Sequence, residues 1–285
     1  MFAADSSSAA TLGGARGESD GLDVLALARA GANTWSARLQ PGWMALGGIH
    51  GGLVVAALLR AAAEAAGRRP ATITAHLHAP VAAGVVELQA EVLRAGRSAA
   101  SVSVLARQAK LCASALVLLD GAEARSCGAD LQSLGEPMPA SAPEQTPPLQ
   151  LPGGGVPFGA HVEIRPTGES RPLAAGAEPV LRAWIRPRRA IEDPVTRAAI
   201  LLDALAPSLW AVWRAPLPVP TIELSLHFAP PALATAWSAI AQRTVWANDA
   251  YCVDEAELRN EDGALIAQAR QRRKLLKQVA QPPAE

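Results

Sequence analysis

The sequence predicts an α+β protein with two similar halves, in each of which an antiparallel sheet curls around one apolar helix. Two observations indicate this class. TITAHLH at 72–78 is nearly repeated as TIELSLH at 221–227, and Val-rich alternating segments follow each copy. The copies lie about 150 residues apart, a spacing typical of duplicated domains and far longer than the roughly 20 to 50 residues of solenoid repeats.

The first half contains one long apolar segment, GGLVVAALLRAAAEAAG, which predicts a buried helix over about 51–66. A leading strand, TWSARLQ, precedes it. The strands predicted after it are TITAHLHA, VVELQAEVLRAG, SAASVSVLARQ and LCASALVLL. A sheet that buries one face against a single apolar helix is expected to curl around that helix.

The second half has the same order of elements. VLRAWIRP is its leading strand, and a helix is predicted from Pro194 through Trp213. Asp193-Pro194 is a typical helix start, with Asp as the N-cap and Pro at the first helical position. The later strands are TIELSLHFA, ATAWSAIAQRTVWA, YCVDEAELRN and ALIAQARQRRKLL.

The segment between the halves, LQSLGEPMPASAPEQTPPLQLPGGGVPF, carries seven prolines and a Gly-Gly-Gly run. This composition is typical of a connector. We therefore expect a flexible tail at 1–21, a first folded unit at 22–125, a linker at 126–160, a second folded unit at 161–278 and a tail at 279–285.

Composition argues against several classes of function. The 26 Lys and Arg residues balance the 26 Asp and Glu residues, so no bulk charge favours nucleic acid or an anionic membrane as a partner. The three cysteines form no CxxC pair, which predicts no metal site and fits a reducing compartment. The chain shows neither a signal-peptide pattern nor an apolar run near the roughly 20 residues of a membrane helix. We expect a cytoplasmic protein without a metal or other cofactor.

The order of these motifs resembles a known family. The first half runs from GGIHGG through the apolar helix and a strand ending in LHAP to EVLRAGRSAASVSVLARQ. This order is similar to that in the first half of a double-hotdog acyl-CoA thioesterase of the thioesterase II (TesB-like) type. LLDALAPS, TIELSLHF and DEAELRNEDGALIAQARQ resemble that family's C-terminal hotdog. The resemblance covers about 25–276. It implies a double hotdog, two tandem repeats each with a curled antiparallel sheet wrapped around a long apolar helix.

The resemblance also implies a catalytic set in the second half: an Asp on the helix, a Thr or Ser that opens the next strand, and a Gln on the last strand. The matching residues are Asp203, Thr221 and Gln271. These groups suit hydrolysis, because a carboxylate can take a proton from water while a hydroxyl and an amide hold that water.

Strand alternation agrees with one of these assignments and disagrees with another. Gln271 is in phase with the apolar Ala267 and Ala269, which predicts an inward side chain. Thr221 is in phase with Glu223, so it can serve the site only from the edge of the core. The first-half residue that matches Gln271 is Val117.

GGIHGGLVV resembles the HGG helix entry of single-hotdog thioesterases, in which a backbone N–H after the His polarises the thioester carbonyl. The resemblance implies that His50, Gly51 and Gly52 bind substrate, with Gly51 as the candidate donor. Glycine allows a ligand to approach the backbone at a helix N-terminus. A plain turn role for His50 fits the sequence equally well.

The activity implied is hydrolysis of acyl-CoA in fatty acid metabolism, by a protein that assembles as a homo-oligomer, a dimer or tetramer. Two alternatives stay open: a non-catalytic acyl-CoA-binding protein, and a hotdog hydratase or dehydratase. The hydratase motif DxNPxH is absent, and the dehydratase HFPG is only echoed by HFAP at 227–230. His78 and His227 are expected at equivalent strand ends. The basic run at 270–276 is either a contact for CoA phosphates or a solvated strand edge.

Overall fold

A computed structural model describes residues 24–121, 138–150, 156–169, 171–229 and 235–276. The predicted tails at 1–21 and 279–285, Cys127 and part of the predicted linker lie outside these residues. None of the helices in the described part of the chain is long and apolar enough to span a membrane.

Seven elements make up the first half of the chain. They are β1 (Leu27–Arg29), β2 (Thr34–Leu39), α1 (Gly51–Ala66), β3 (Pro70–Leu77), β4 (Gly84–Ala95), β5 (Ala99–Arg107) and β6 (Leu111–Asp120). The second half has β7 (Val162–Thr167), β8 (Val180–Pro187), α2 (Pro194–Leu202), β9 (Thr221–Phe228), β10 (Ser238–Ala247), β11 (Tyr251–Asn260) and β12 (Leu265–Lys274). Short 3-10 helices lie at Pro41–Trp43, Pro143–Gln145, Pro157–Ala160 and Ser208–Ala211.

The strands form one antiparallel sheet in the order β1-β2-β4-β5-β6-β3-β9-β12-β11-β10-β8-β7. Counted outward from the central pair β3 and β9, each half therefore presents its strands in the same order. At this seam Ala75 pairs with Leu224, and the Ser225 hydroxyl donates to Thr74 Oγ1 at 3.2 Å. The strand alternation predicted from sequence produces buried inner residues on both sides of the seam.

Three matching pairs of β-bulges show how the halves correspond. In each pair one extra residue comes from each half of the chain. The pairs are Ala71 in β3 with Ile222 in β9, Leu93 in β4 with Val245 in β10, and Cys112 in β6 with Ile266 in β12. Aligning the bulges pairs Val117 with Gln271, as the sequence predicted. It also pairs Thr221 with Pro70, because Thr221 lies opposite Arg273 where Pro70 lies opposite Leu119.

The repeated motif is therefore offset from the true structural correspondence by two residues. Thr72, the sequence twin of Thr221, faces outward opposite Leu118. His76, and not His78, corresponds to His227, which corrects the expectation that His78 and His227 occupy equivalent strand ends. His78 lies just beyond β3 and its Nε2 is 2.8 Å from Ser114 Oγ.

Helix α1 occupies the predicted residues and is buried along most of its length. It ends at Gly67, whose left-handed φ of 64° suits glycine. The second helix is shorter than predicted: α2 ends at Leu202 instead of continuing to Trp213. Pro207 explains the early end, because it cannot donate to the Asp203 carbonyl and its ring would collide with that carbonyl in a continuing helix. A long apolar helix is therefore present in the first half but absent from the second.

Residues 138–150, within the predicted linker, pack against the second half of the sheet. Leu149 N–H donates to the Ile164 carbonyl at 2.7 Å, Trp184 Nε1 donates to the Ser141 carbonyl at 2.7 Å, and Arg165 Nη1 donates to the Pro143 carbonyl at 2.8 Å. This stretch therefore covers β7 and β8.

Candidate active site

Asp203 lies where the two helices meet. It is the C-cap of α2, and its side chain is 8% exposed. Its Oδ2 accepts a hydrogen bond from the backbone N–H of Gly52, in the first turn of α1, at 2.8 Å. The partial positive charge of a helix N-terminus stabilises a carboxylate in this position. An acid from the second half is thereby held by the helix of the first half.

His50, the N-cap of α1, contacts the same residue. Its Nε2 lies 3.0 Å from the Asp203 carbonyl oxygen and 3.7 Å from Oδ2. A carbonyl only accepts, so Nε2 carries the hydrogen and Nδ1, which is buried without a partner, is the bare nitrogen of the neutral ring. Burial lowers the pKa of His50, and the opposing effect of Asp203 is smaller. His50 satisfies the carbonyl that Pro207 leaves without a helical partner.

The two glycines of the HGG segment leave room for these contacts. A Cβ at Gly51 would lie 2.8 Å from Asp203 Oδ2, and one at Gly52 would overlap the Ala199 carbonyl oxygen of α2. The Gly52 N–H is occupied by Asp203, whereas the Gly51 N–H has no acceptor among the described residues. Of the two, Gly51 therefore carries the donor that is available to a substrate.

Gln271 and Thr221 lie next to the end of α2. Gln271 is 1% exposed, as its alternation predicted, and its Nε2 donates to the carbonyl of Leu202 at 3.2 Å. Thr221 Oγ1 donates to Gln271 Oε1 at 3.3 Å. Among the described residues neither side chain hydrogen-bonds directly to the Asp203 carboxylate. Gln271 therefore contacts the residue that precedes Asp203, and Thr221 contacts Gln271.

The bulge at Ile222 resolves the sequence conflict over Thr221. Strict alternation would place Thr221 on the outer face with Glu223. The extra residue reverses the alternation, so that Thr221 lies opposite the inward Arg273 while Glu223 lies opposite Arg272. Thr221 therefore faces the core.

The sequence analysis missed a buried polar group behind Thr221. Arg273 Nη1 donates to Thr221 Oγ1 at 2.9 Å, and its Nε donates to Asp254 Oδ2 at 2.9 Å. Of the basic run at 270–276, Arg270 and Arg272 are exposed, whereas Arg273 is 5% exposed. The spacing along the strand could have indicated that Arg273 is buried, because Arg273 is two residues from Gln271 and so shares its inner face.

Other sequence candidates lie away from this cluster. His227, within the HFAP echo of a dehydratase motif, is exposed on the outer face of β9 opposite Gln268. The described His, Cys, Asp and Glu side chains form no group that could hold a metal ion. The site is thus a carboxylate, an amide and a hydroxyl beside a glycine-rich helix start.

The architecture is that of a hotdog-fold protein. A conserved protein of unknown function with a hot dog fold from Alicyclobacillus acidocaldarius superposes with a TM-score of 0.78 at 19% identity, covering 90% of this chain and 98% of that one. A putative thioesterase II from Thermobifida fusca has a TM-score of 0.78 at 21% identity, covering 89% and 96%. An acyl-CoA thioesterase II, TesB2, from Mycobacterium marinum has a TM-score of 0.70 at 19% identity, covering 92% and 98%.

Family models identify the chain more narrowly. The model of the acyl-CoA thioesterase N-terminal domain matches residues 39–119, and that of the acyl-CoA thioesterase C-terminal domain matches residues 138–272. Between them they cover most of the chain. The chain therefore belongs to the acyl-CoA thioesterase family and is an acyl-CoA thioester hydrolase. No curated protein sequence is similar enough to count as a match.

Proposed function

We propose that this acyl-CoA thioesterase works through Asp203, Thr221 and Gln271, with the Gly51 N–H as the oxyanion donor. One observation carries the proposal: the Asp203 carboxylate of the second half lies against the first turn of α1 at Gly51 and Gly52. A general base and a free backbone donor are thereby adjacent.

The reaction begins when water attacks the thioester carbonyl carbon and gives a proton to Asp203. Oδ2 is engaged by Gly52, so Oδ1 takes this proton. The developing oxyanion accepts from Gly51 N–H at the positive end of α1. When the intermediate collapses the C–S bond breaks, the CoA sulfur leaves with the proton from Asp203, and the free acid is released.

Replacing Asp203 by Asn tests this assignment. The amide oxygen of Asp203→Asn can still accept from Gly52 N–H, so the fold should persist. The amide cannot take the proton of water, so kcat should fall by about 10²- to 10⁴-fold. Thiol release from short, medium, long and aromatic acyl-CoA esters measures the rate, and circular dichroism monitors the fold.

Asp262→Asn, in an exposed turn, is the matched control and should keep the wild-type rate. A wild-type kcat in Asp203→Asn would show that another group is the base. Absence of turnover by the wild type on every ester, together with measurable binding of CoA esters, would instead favour the non-catalytic binding protein. The dehydratase alternative is disfavoured because His227 points away from the site.

We also propose that the two halves are tandem hotdog repeats derived by duplication, with the folded units at 22–125 and 161–278. The three matching pairs of bulges support the duplication. Assembly as a dimer or tetramer and a cytoplasmic location are further proposals, which sedimentation equilibrium and fractionation of cells would test.

A further inference from the structure

A buried ion pair lies behind the proposed catalytic residues. Asp254 is 1% exposed and Arg273 is 5% exposed. Besides Arg273 Nε, Asp254 accepts from Thr244 Oγ1 at 2.6 Å and from the Ser208 N–H at 3.4 Å. Taking two charges out of water is unfavourable, and replacing such a pair by apolar residues is often neutral or stabilising. The attraction between the two charges therefore gives the fold little reason to keep this pair.

The first half of the sheet shows that the fold does without it. When the bulges are aligned, Asp254 corresponds to Val102 and Arg273 to Leu119, both of which are fully buried. The same correspondence pairs Gln271 with Val117 and Thr221 with Pro70. These four polar residues thus belong to the half that carries Asp203, and their counterparts in the first half are apolar.

Arg273 and Gln271 together determine the direction of the hydrogen bonds described at Thr221. Arginine has donors only, so Nη1 must donate to Thr221 Oγ1. The threonine hydrogen then points to Gln271 Oε1, and Gln271 Nε2 donates to the Leu202 carbonyl. The donors therefore run in one direction from Arg273 through Thr221 and Gln271 to the end of α2.

The hydrogen-bonding groups that remain match the needs of one water molecule. Thr221 Oγ1 has one lone pair left, and Gln271 Nε2 has one hydrogen left. A water that donates to Thr221 and to Asp203 and accepts from Gln271 uses both hydrogens and one lone pair. Its second lone pair is then free to attack the thioester carbonyl.

We propose that Arg273, held by Asp254, is a positioning residue that makes Thr221 an acceptor for the nucleophilic water. Without the guanidinium, only the 3.3 Å contact with Gln271 Oε1 orients the threonine hydroxyl. The hydroxyl can then rotate and donate to the water, which removes the lone pair needed for attack. The charge of Arg273 also reaches the site: after burial, it contributes to the lowered pKa of His50. This inference rests on the proposed roles of Asp203, Thr221 and Gln271.

The test is to give the second half the apolar residues of the first. The double variant Asp254→Val with Arg273→Leu leaves no unpaired charge, so it should fold, with some loss of stability because Thr244 and the Ser208 N–H lose their acceptor. Its kcat should fall at least tenfold, with little change in KM. Adding Thr221→Val to the double variant should lower kcat little further, because Arg273 acts through that hydroxyl. Arg272→Leu, exposed on the outer face of β12, is the matched control and should keep the wild-type rate.

A wild-type kcat in the double variant would overturn the proposal. So would a triple variant whose loss of kcat equals the product of the losses in the double variant and in Thr221→Val alone.

If the double variant does not fold, Arg273→Lys decides the question. It keeps the charge but lacks the rigid fork that serves Asp254 and Thr221 together, so a lowered kcat in the folded variant supports the proposal and an unchanged kcat refutes it. If Asp203→Asn keeps the wild-type rate in the same assay, the proposed site itself is at fault; if Asp203→Asn is inactive and the double variant is fully active, only the role of Arg273 falls.

Discussion

At the residue scale, His50 and Asp203 satisfy groups that each helix leaves open. Pro207 ends α2 and deprives the Asp203 carbonyl of its helical donor, and His50 Nε2 replaces that donor. In return, the Asp203 carboxylate accepts from the N–H of Gly52, one of the first groups of α1 without an intrahelical acceptor. The sequence left open whether His50 is a plain turn residue or part of the site, and these contacts place it against the acid.

The lowered pKa of His50 predicts a pH dependence of stability. The unfolded chain binds a proton at His50 near pH 6.5, whereas burial holds the folded-state pKa lower. Protonation of His50 should therefore leave the free energy of unfolding unchanged above pH 6.5 and lower it as the pH falls below that value. His50→Gln, which retains a donor, should show a weaker fall in urea-denaturation free energy between pH 7.5 and 5. His227→Gln, on the outer face, serves as the control; an unchanged slope in His50→Gln would contradict the prediction.

At the scale of elements, the close crossing of α1 and α2 sets the geometry of the site. Gly52 lies against the α2 backbone at Ala199, and Gly51 lies against the end of the Asp203 side chain. These two neighbours differ in how far they can move. A helix backbone is held by its own hydrogen bonds, whereas a carboxylate can rotate, so the adjacent glycines have different roles.

Substituting each glycine by alanine should separate stability from activity. Gly52→Ala should cost about 1–3 kcal/mol of unfolding free energy because the helices must move apart. Gly51→Ala should leave stability near the wild type, since alanine favours a helix. It should nevertheless lower kcat about tenfold by displacing the base, which is part of the roughly 10²- to 10⁴-fold that a general base contributes. Urea denaturation and thiol release measure the two effects.

Gly47→Ala is the control, since a Cβ there meets no atom within 4 Å. Equal losses of stability in Gly51→Ala and Gly52→Ala would contradict the distinction between a fixed and a movable neighbour.

At the scale of the whole molecule, one sheet and one site join the two halves. The seam between β3 and β9 makes the sheet continuous, and α1 of the first half holds Asp203 of the second. The two halves thus share an order of strands but carry different polar groups at the site. The first half provides the helix start with its free Gly51 N–H, and the second provides the acid, amide and hydroxyl.

Because the proposed site requires both halves, activity and structure should be lost together in urea. Thiol release, far-ultraviolet circular dichroism and tryptophan fluorescence should give coincident transitions. The fluorescence reports mainly on the second half, which contains Trp184, Trp210, Trp213, Trp237 and Trp246. Loss of activity at a urea concentration where the other two signals are unchanged would show that the site opens independently of the sheet.

Local pattern was sufficient for much of the molecule. The periodicity of apolar residues located α1 and the strands of both halves, because each pattern reflects one face buried against the core. The same alternation placed Gln271 inward. The strand β1 was missed because three residues show no period, and β7 was missed because Pro166 within it argues against a strand.

The sequence by itself determined the fold class, the repeated order of elements and the residues that resemble a thioesterase site. Only the tertiary structure decided which face Thr221 occupies, where α2 ends, which glycine N–H is free and that Arg273 is buried with Asp254. The physical reason is that these features depend on partners far along the chain. The bulge at Ile222 is defined by pairing with β12, the Asp203 carbonyl is satisfied by His50, and the charge of Arg273 is tolerated only because β11 supplies a carboxylate.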